Sequence, residues 1–358
     1  MTIEEIQVRK DDLSKTRTVS RAAPSLKDGE VLAKIERFAL TANNITYGVV
    51  GEKIGYWNFF PAPDGWGIIP VWGFAEIVES RCGDVDVGER LYGYFPMGSH
   101  LVMTPAKARP ERLLDGAAHR AALPPVYNAY ARVAREQGYD PSMDDERMLL
   151  FPLYATSFCI YDFLLDNDWF GARQAIVVSA SSKTAIGVAY AMRNDPAAPA
   201  SVGLTSQRNA DKVRALDLYG DVATYDRVSS IDAAIPSVIV DMSGNKTVLA
   251  DLADHLGDKM RFCLQVGVTH YEASDGAMPA PSDRRAFFFA PGHIQKRAGD
   301  WGPGAFEAKA LDFWRDAAKK SRAWLSVERI DGAAATEKVF HDLREGKITP
   351  DRGIIAAV

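Results

Sequence analysis

The sequence predicts an α/β protein in two parts: a β-rich first part, then a doubly wound parallel-sheet part. Three observations predict this. Short strands punctuated by glycine and proline fill about the first hundred residues, as a small barrel or curled sheet requires. From Gln174 onward, short apolar strands alternate with helices, the pattern of βαβ units in a parallel sheet. A mixed tail, 301–358, carries one more strand and two helices, which suggests that the chain returns to its first part.

In the first part, Val31–Leu40 is extended and follows the turn Lys27-Asp28-Gly29-Glu30. Ile69–Ser80 and Arg90–Phe95 are further strands, and His100–Met103 pairs nearby. Glu111–Gln137 reads as helical segments interrupted by Leu123-Pro124-Pro125, and Pro141–Glu146 as a polar turn opening a long apolar helix toward the second part. There, strands are predicted at Ala175–Ala180, Ser201–Ser206, Asp221–Asp226, Ser237–Met242, Met260–Gly267 and Arg285–Ala290, with helices over Lys183–Met192 and Asn209–Leu218. The tail has helices around Phe306–Lys319 and Thr336–Glu345 and a strand near Trp324–Ile330.

Composition narrows the function classes. With 47% hydrophobic and 25% charged residues over 358 positions, the chain is ordinary globular and not largely disordered. A net charge of −5 offers no basic footprint for nucleic acid and no polybasic membrane address. Cys82, Cys159 and Cys263 form no CxxC pair, so a disulfide framework and a cysteine-rich zinc site are both disfavoured. The polar N-terminus lacks a secretory h-region, and no uninterrupted apolar run reaches a membrane span. The expectation is a cytoplasmic protein.

Several chemistries are unsupported by the letters. HExxH and GxSxG do not occur, and no tyrosine is followed four residues later by lysine. Ser181-Ser182-Lys183-Thr184 ends like a P-loop, but the two glycines that let backbone approach phosphate are missing. The best ligand signal is the strand–turn–helix AIVVSASSKTAIGVAYAM, whose turn presents backbone N–H groups and the positive end of a helix dipole to a pyrophosphate. Serine and alanine stand where glycines are usual, with Gly187 left for helix–strand packing. Ser181 and Ser182 offer hydroxyls and Lys183 a charge; the competing reading is a small-residue turn without a ligand. The next strand ends in GLTSQRN, with no acid to take a ribose 2′-hydroxyl, whereas Ser206 and Arg208 suit a 2′-phosphate. That favours NADPH over NADH, against the alternative of helix capping and a solvated charge.

Taken in order, these features resemble the medium-chain dehydrogenase/reductase superfamily. The resemblance rests on GEVLAKIERFALTANNITYGVVG, on IPVWGFAEIVES followed by DVDVGERLYGY, on DMSGNKT (Asp241–Thr247) and on EKVFHDLREGKITPDRGIIAAV. It implies a GroES-like catalytic domain over 1–152, a Rossmann NADP-binding domain over 153–321, and a return to the catalytic domain over 322–358. An inserted helical segment near 106–149, of roughly forty residues, exceeds the usual link. Zinc-dependent members place a cysteine where Thr41-Ala42-Asn43-Asn44 stands here and a His-Glu pair where Trp72-Gly73-Phe74 stands. The chain is therefore similar to the zinc-independent quinone oxidoreductases and enoyl reductases, with no metal expected.

This resemblance implies an NADPH-dependent reduction of an activated C=C in an α,β-unsaturated carbonyl, or of a quinone. Gly55-Tyr56-Trp57-Asn58-Phe59-Phe60-Pro61 keeps the glycine-to-proline spacing of the G-x-Y-x-x-x-P context of related enoyl reductases, with the tyrosine one position earlier, and Tyr56 is the candidate proton donor or enolate partner, with Tyr47 the less favoured donor. Asn44 would orient substrate or nicotinamide. Trp57, Tyr127 and Asn128 would line a small apolar or aromatic carbonyl substrate in an interdomain cleft. Tyr225 would flank the adenine ribose, Ser243, Gly244, Val266 and Gly267 the nicotinamide ribose, and Phe289 the nicotinamide. His100, His270 and His293 lie near predicted strand ends, with a surface or structural role favoured. The resemblance allows a homodimer through edge-to-edge pairing of cofactor-domain sheets. The rival class is a catalytically altered dinucleotide sensor or interaction protein, suggested by the glycine-poor turn.

Overall fold

A computed structural model describes residues 1–266 and 284–358. The chain forms two compact units, Met1–Leu149 with Leu325–Val358, and Leu150–Trp324.

In the first unit, Val31–Leu40 is the organising strand. It pairs antiparallel with Pro70–Ser80 on one side and with the C-terminal strand Arg352–Ala357 on the other, in a nine-stranded sheet. Arg352–Ala357 in turn pairs parallel with Ser326–Asp331 at the sheet edge. A second sheet of three strands joins Thr2–Arg9 to Thr16–Ala22 and Trp66–Ile68. The loop expected after Leu40 is instead a helix, Ala42–Val49, followed by the short helix Gly51–Ile54.

The segment 106–149 departs from expectation. In place of inserted helices it carries the strands Arg112–Asp115 and Ala129–Arg132, which extend the large sheet, joined by short 3-10 turns. Its prolines explain the difference: Pro110, Pro124, Pro125 and Pro141 each remove a backbone donor that a helix needs, so only single turns survive between them. A true helix begins only at Asp144, past the last of them, with three acids in its first turn complementing the helix dipole.

That helix, Asp144–Asp166, is long and apolar enough to cross a membrane by length and composition. Its apolar side chains have another use, because Leu150, Tyr154, Ile160 and Leu164 are fully buried in the second unit.

The second unit is built on six parallel strands whose spatial order reads third, second, first, fourth, fifth, sixth along the chain. This is the doubly wound arrangement expected from the alternating pattern, with its crossover between Gln174–Val178 and Ser237–Asp241. Both central strands are buried throughout, and Ile176, Val178, Leu204, Ile239 and Leu252 anchor their shared core. The first strand stops at Val178, short of the expected Ala180, because Ser179 turns into the left-handed region at φ 62°. Before that strand lies a rarer feature. Asp168, Trp169, Phe170 and Gly171 run consecutively at φ 48°, 50°, 53° and 71°. Each of the three non-glycines there costs about 1–2 kcal/mol of backbone energy. Stacking of Phe170 on Phe262, centroids 3.9 Å apart, helps to hold the turn.

Candidate functional site

The candidate side chains gather in two places, one in each unit. In the second unit they lie at the carboxyl ends of the parallel strands, where open α/β sheets bind ligands. The turn after Val178 is closed by the Ser182 N–H donating to the Ser179 carbonyl at 2.8 Å. Ser182 then caps the helix Lys183–Arg193, its hydroxyl accepting from the Ala185 N–H. Ser181 is buried and accepts from Asn209 Nδ2 at 3.1 Å, which ties the turn to the neighbouring helix Gln207–Ala215. The Ala180 carbonyl accepts from the Tyr219 hydroxyl at 3.0 Å. A Cβ on Gly203 would stand 3.1 Å from the Ala180 methyl and 2.9 Å from the Tyr219 ring. The missing glycine of the turn is thus compensated by a glycine on the adjacent strand, which receives that methyl.

Ser206 caps Gln207–Ala215 by position only, since its hydroxyl makes no capping bond. Arg208 is exposed and makes no ion pair among the described residues. Tyr225 stands near Ser179 and Arg208: burial pushes its phenol up with help from the Asp241 charge, while a hydrogen bond with Ser179 and the Arg208 charge oppose that. Lys183 opens the helix Lys183–Arg193 beside the turn. Gly187 corrects the expectation of helix–strand packing. Its missing Cβ would lie 2.4 Å from Ser157 Oγ and 2.7 Å from Tyr154 Cδ1, so the contact is helix on helix.

On the other side of the crossover, buried Asp241 accepts from the Ser243 N–H at 2.8 Å, the Ser243 hydroxyl at 2.7 Å and the Gly244 N–H at 3.1 Å. Ser243 is therefore turned inward to Asp241, and Gly244, at φ 67°, completes the turn. The Val266 N–H donates to the Asp241 carbonyl at 2.8 Å, which places Val266 beside this loop. Phe289 is partly exposed at the start of the helix Ala290–Trp301. Gly267 and His270 lie outside the described residues.

In the first unit the candidates form an aromatic cluster. Asn44 sits in the first turn of Ala42–Val49. Its Oδ1 accepts from the Thr41 N–H at 2.7 Å and its Nδ2 donates to the Pro70 carbonyl at 2.9 Å, so its amide frames the helix. One turn on, Tyr47 accepts from Trp72 Nε1 at 3.3 Å and lies 4.7 Å, ring to ring, from Tyr56. Gly55, at φ 82°, swings the chain so that Tyr56 enters the cluster. Its hydroxyl is 3.1 Å from that of Tyr127, which arrives from the turn Pro125–Asn128. Tyr94 completes the group, 4.8 Å from Tyr127 and 5.6 Å from Tyr47 between centroids, its buried hydroxyl without a hydrogen-bond partner among the described residues. Burial raises the phenols of Tyr47, Tyr56 and Tyr94 above their ordinary value, so all three are neutral across physiological pH.

Trp57 is not a wall of this cluster. Its ring fills the space left by Gly51 and Gly67, where added Cβ atoms would come within 2.3 Å of it. Asn128 donates to the Arg120 carbonyl at 3.1 Å, with Oδ1 buried and unpartnered. Arg120 itself is a pillar that no motif selects. It is 1% exposed, pairs with equally buried Asp115 at 3.1 Å, and donates to the Tyr130 hydroxyl at 2.9 Å and the Phe59 carbonyl at 3.3 Å. Tyr130 donates onward to the Tyr94 carbonyl at 2.5 Å, so a buried charge network fixes the backbone under two rings of the cluster. Tyr94, Trp72 and Arg120 escaped sequence reasoning because only the pairing of distant strands brings them to Tyr56.

The histidines have structural partners. His100 Nδ1 lies 2.9 Å from Ser99 Oγ, and His293 Nε2 lies 2.6 Å from Asp162, which also pairs with Arg297. Among the described residues no group of three or more His, Cys, Asp or Glu is placed to hold a metal ion.

Comparison with known proteins gives a consistent picture of the fold. A family model described as "Protein of unknown function (DUF2855)" matches residues 38–349. No curated protein matches. Among solved structures, CurA from Vibrio vulnificus in complex with NADPH is similar at a TM-score of 0.63 and 10% identity, over 99% of each chain. The quinone oxidoreductase from Coxiella burnetii is similar at 0.56 and 13%, over 100% of both chains. The Etr1p/NADP/crotonyl-CoA complex is similar at 0.58 and 11%, again over 100% of both. The chain thus has the two-part fold of the medium-chain dehydrogenase/reductase superfamily, a GroES-like unit plus a Rossmann-type unit. At such identities the likeness concerns the fold.

Proposed function

The chain belongs to the DUF2855 family, and from that premise and its fold we propose that it is a zinc-independent, NADPH-dependent reductase acting on an activated C=C of an α,β-unsaturated carbonyl or on a quinone. One observation carries the proposal: the carboxyl edge of the parallel sheet assembles Ser179–Ser182, Ser206, Arg208 and Tyr225 around the crossover strand, with no acid at the end of the second strand. The residues fit a 2′-phosphorylated dinucleotide. The Ala180 methyl packs over Gly203, the helix Lys183–Arg193 aims its N-terminus at the turn, and the Ser206 hydroxyl is not used in capping. Arg208 would pair with the 2′-phosphate and Tyr225 would flank the adenosine. The similar proteins crystallised with NADPH or NADP support the same reading.

When bound, the nicotinamide supplies hydride. The chain's own contribution is to hold the substrate oxygen and to govern protons. The buried phenol of Tyr56 is raised in pKa, which makes it a weak acid but a secure neutral donor. Its role is therefore to hydrogen-bond the oxygen on which negative charge develops, with Tyr127 fixing the hydroxyl from 3.1 Å. The aromatic walls of Tyr47, Tyr94 and Trp72 favour a flat, apolar substrate. Asn44, whose amide frames its own helix, acts as a positioning residue for Tyr47.

Titration with NADPH and NADH, followed by nicotinamide fluorescence, tests the reading. NADPH should bind more tightly, and Arg208→Ala should weaken NADPH by about tenfold while leaving NADH unchanged. Equal binding of the two dinucleotides would refute the 2′-phosphate assignment, and no binding of either would refute the reductase reading. A single observation favours the sensor alternative: the turn Ser179-Ala180-Ser181-Ser182 carries serine and alanine where glycines are usual. NADPH binding without oxidation against enones and quinones would establish that alternative.

A further inference from the structure

A tyrosine outside the dinucleotide turn controls how that turn presents its backbone. Tyr219 lies in the short link 216–220 between the helix Gln207–Ala215 and the strand Asp221–Thr224, and it is buried. Burial raises its phenol, so the hydroxyl stays neutral and keeps one proton to donate. That proton goes to the Ala180 carbonyl at 3.0 Å. Ala180 is thereby clamped at both of its polar groups, because its N–H donates to the Leu204 carbonyl at 3.1 Å. Both tethers come from the second strand and the chain that follows it, not from the helix that the turn opens.

The clamp sets the direction of the next amide. In a trans peptide the C=O and the following N–H point in opposite directions, and no cis bond occurs among the described residues. Tyr219 draws the Ala180 carbonyl to one side, so the Ser181 N–H is aimed to the other. Neighbouring donors are already committed: the Ser182 N–H closes the turn on the Ser179 carbonyl, and the Ala185 N–H goes to the Ser182 hydroxyl. The Ser181 N–H has no hydrogen-bond partner among the described residues. Gly203 makes room for the arrangement. A Cβ there would stand 2.9 Å from the Tyr219 ring and 3.1 Å from the Ala180 methyl, so ring and methyl share the space over one glycine.

We propose that Tyr219 is a positioning residue for the dinucleotide: through the Ala180 carbonyl it aims the Ser181 N–H at the pyrophosphate. A glycine-rich turn serves that group by letting the backbone approach closely; here serine and alanine occupy the turn, and a side chain from the neighbouring link fixes one amide instead. The inference rests on the dinucleotide reading of this turn. It concerns only the diphosphate, which NADPH and NADH share, and so it is separable from the role of Arg208 toward the 2′-phosphate.

Calorimetric titration of the full chain with NADPH, NADH, ADP-ribose and adenosine 2′-monophosphate tests this, the last ligand lacking the diphosphate. Tyr219→Phe keeps the ring over Gly203 and deletes the donor. It should weaken NADPH, NADH and ADP-ribose by one common factor, about fivefold, and leave adenosine 2′-monophosphate unchanged. Arg208→Ala should show the reverse pattern, weakening adenosine 2′-monophosphate and sparing ADP-ribose. A merely structural loss would weaken all four ligands together. If Tyr219→Phe fails to fold, Gly203→Ala presses on the same ring and methyl from the strand and should give the same split. Unchanged ADP-ribose affinity, or an equal loss for adenosine 2′-monophosphate, overturns the proposal while the dinucleotide reading stands. Absence of binding by the unaltered chain overturns both.

Discussion

Replacing Asp115 by asparagine should expose how much the aromatic cluster depends on the charge pair beneath it. Asp115 Oδ2 faces Arg120 at 3.1 Å, both side chains being 1% exposed, while Oδ1 accepts from the Thr104 and Ala117 N–H groups at 3.1 Å each. Asparagine can keep the second set of bonds, but its amide then presents a donor to a guanidinium that is also only a donor. Arg120 Nη2 already lacks a partner among the described residues, so the orphaned charge keeps only neutral neighbours, the Tyr130 hydroxyl, the Phe59 carbonyl and the Phe60 ring 4.7 Å away. Breaking a buried pair in this way costs about 3–5 kcal/mol. Against a total stability of about 5–15 kcal/mol this is a large share, and it should lower the melting midpoint by about 6–20 °C. Thermal and urea unfolding of Asp115→Asn, Arg120→Met and the double variant would measure it. The double variant should recover most of the loss, because two apolar or neutral groups leave no buried charge behind. A single-variant loss under about 1 kcal/mol, or a double variant worse than the sum of the singles, would refute the reasoning.

Other contacts make further outcomes measurable. Gly187→Ala should cost about 1–3 kcal/mol in urea unfolding, because Ser157 Oγ is pinned by donating to the Leu153 and Thr184 carbonyls and cannot retreat; Ser157→Gly should relieve it. Tyr94→Phe removes an unpartnered buried hydroxyl and should be neutral or stabilising within about 1 kcal/mol. Tyr130→Phe, which breaks the link from Arg120 to the Tyr94 carbonyl, should cost about 1–3 kcal/mol by the same assay. Asp162 supplies a pH signature. Burial alone would raise its carboxyl, but the bonds from His293 and Arg297 outweigh that and hold it below its ordinary value. The unfolded chain therefore takes up this proton at higher pH, and its stabilisation, complete above about pH 4, declines as pH falls further. Asp162→Asn should flatten the stability profile below about pH 4, and an unchanged slope there would remove Asp162 from the account.

The fold was legible where local pattern and burial agree. Fully buried apolar runs such as Gln174–Val178 and Ser237–Asp241 are the form a central parallel strand takes, and their alternation with helices leaves few topologies. The segment 106–149 was misread because its charged and alanine-rich composition resembles a helical surface, while the competing signal lay in its prolines. Arg112–Asp115 and Ala129–Arg132 become strands through partners elsewhere in the sheet: Ala131 faces Tyr92, and Tyr130 fills the space over Gly93, where a Cβ would lie 2.3 Å from its ring. No local periodicity encodes that fit.

The same distinction separates the two halves of the candidate site. Ser181, Ser206 and Arg208 lie on neighbouring strand ends of a regular sheet, so spacing alone brings them to one edge, and the compensating pair Ala180–Gly203 explains how the turn dispenses with its glycine. The aromatic cluster has no such rule. Tyr56 and Tyr127 are 71 residues apart in sequence, yet their hydroxyls meet because Arg120, selected by no motif, anchors the backbone of Phe59 and, through Tyr130, that of Tyr94. A substitution that loosens this anchor should therefore disturb substrate handling before it disturbs dinucleotide affinity. In Arg120→Met, kcat should fall at unchanged NADPH affinity; a loss of NADPH binding with the aromatic cluster intact would contradict that order of dependence.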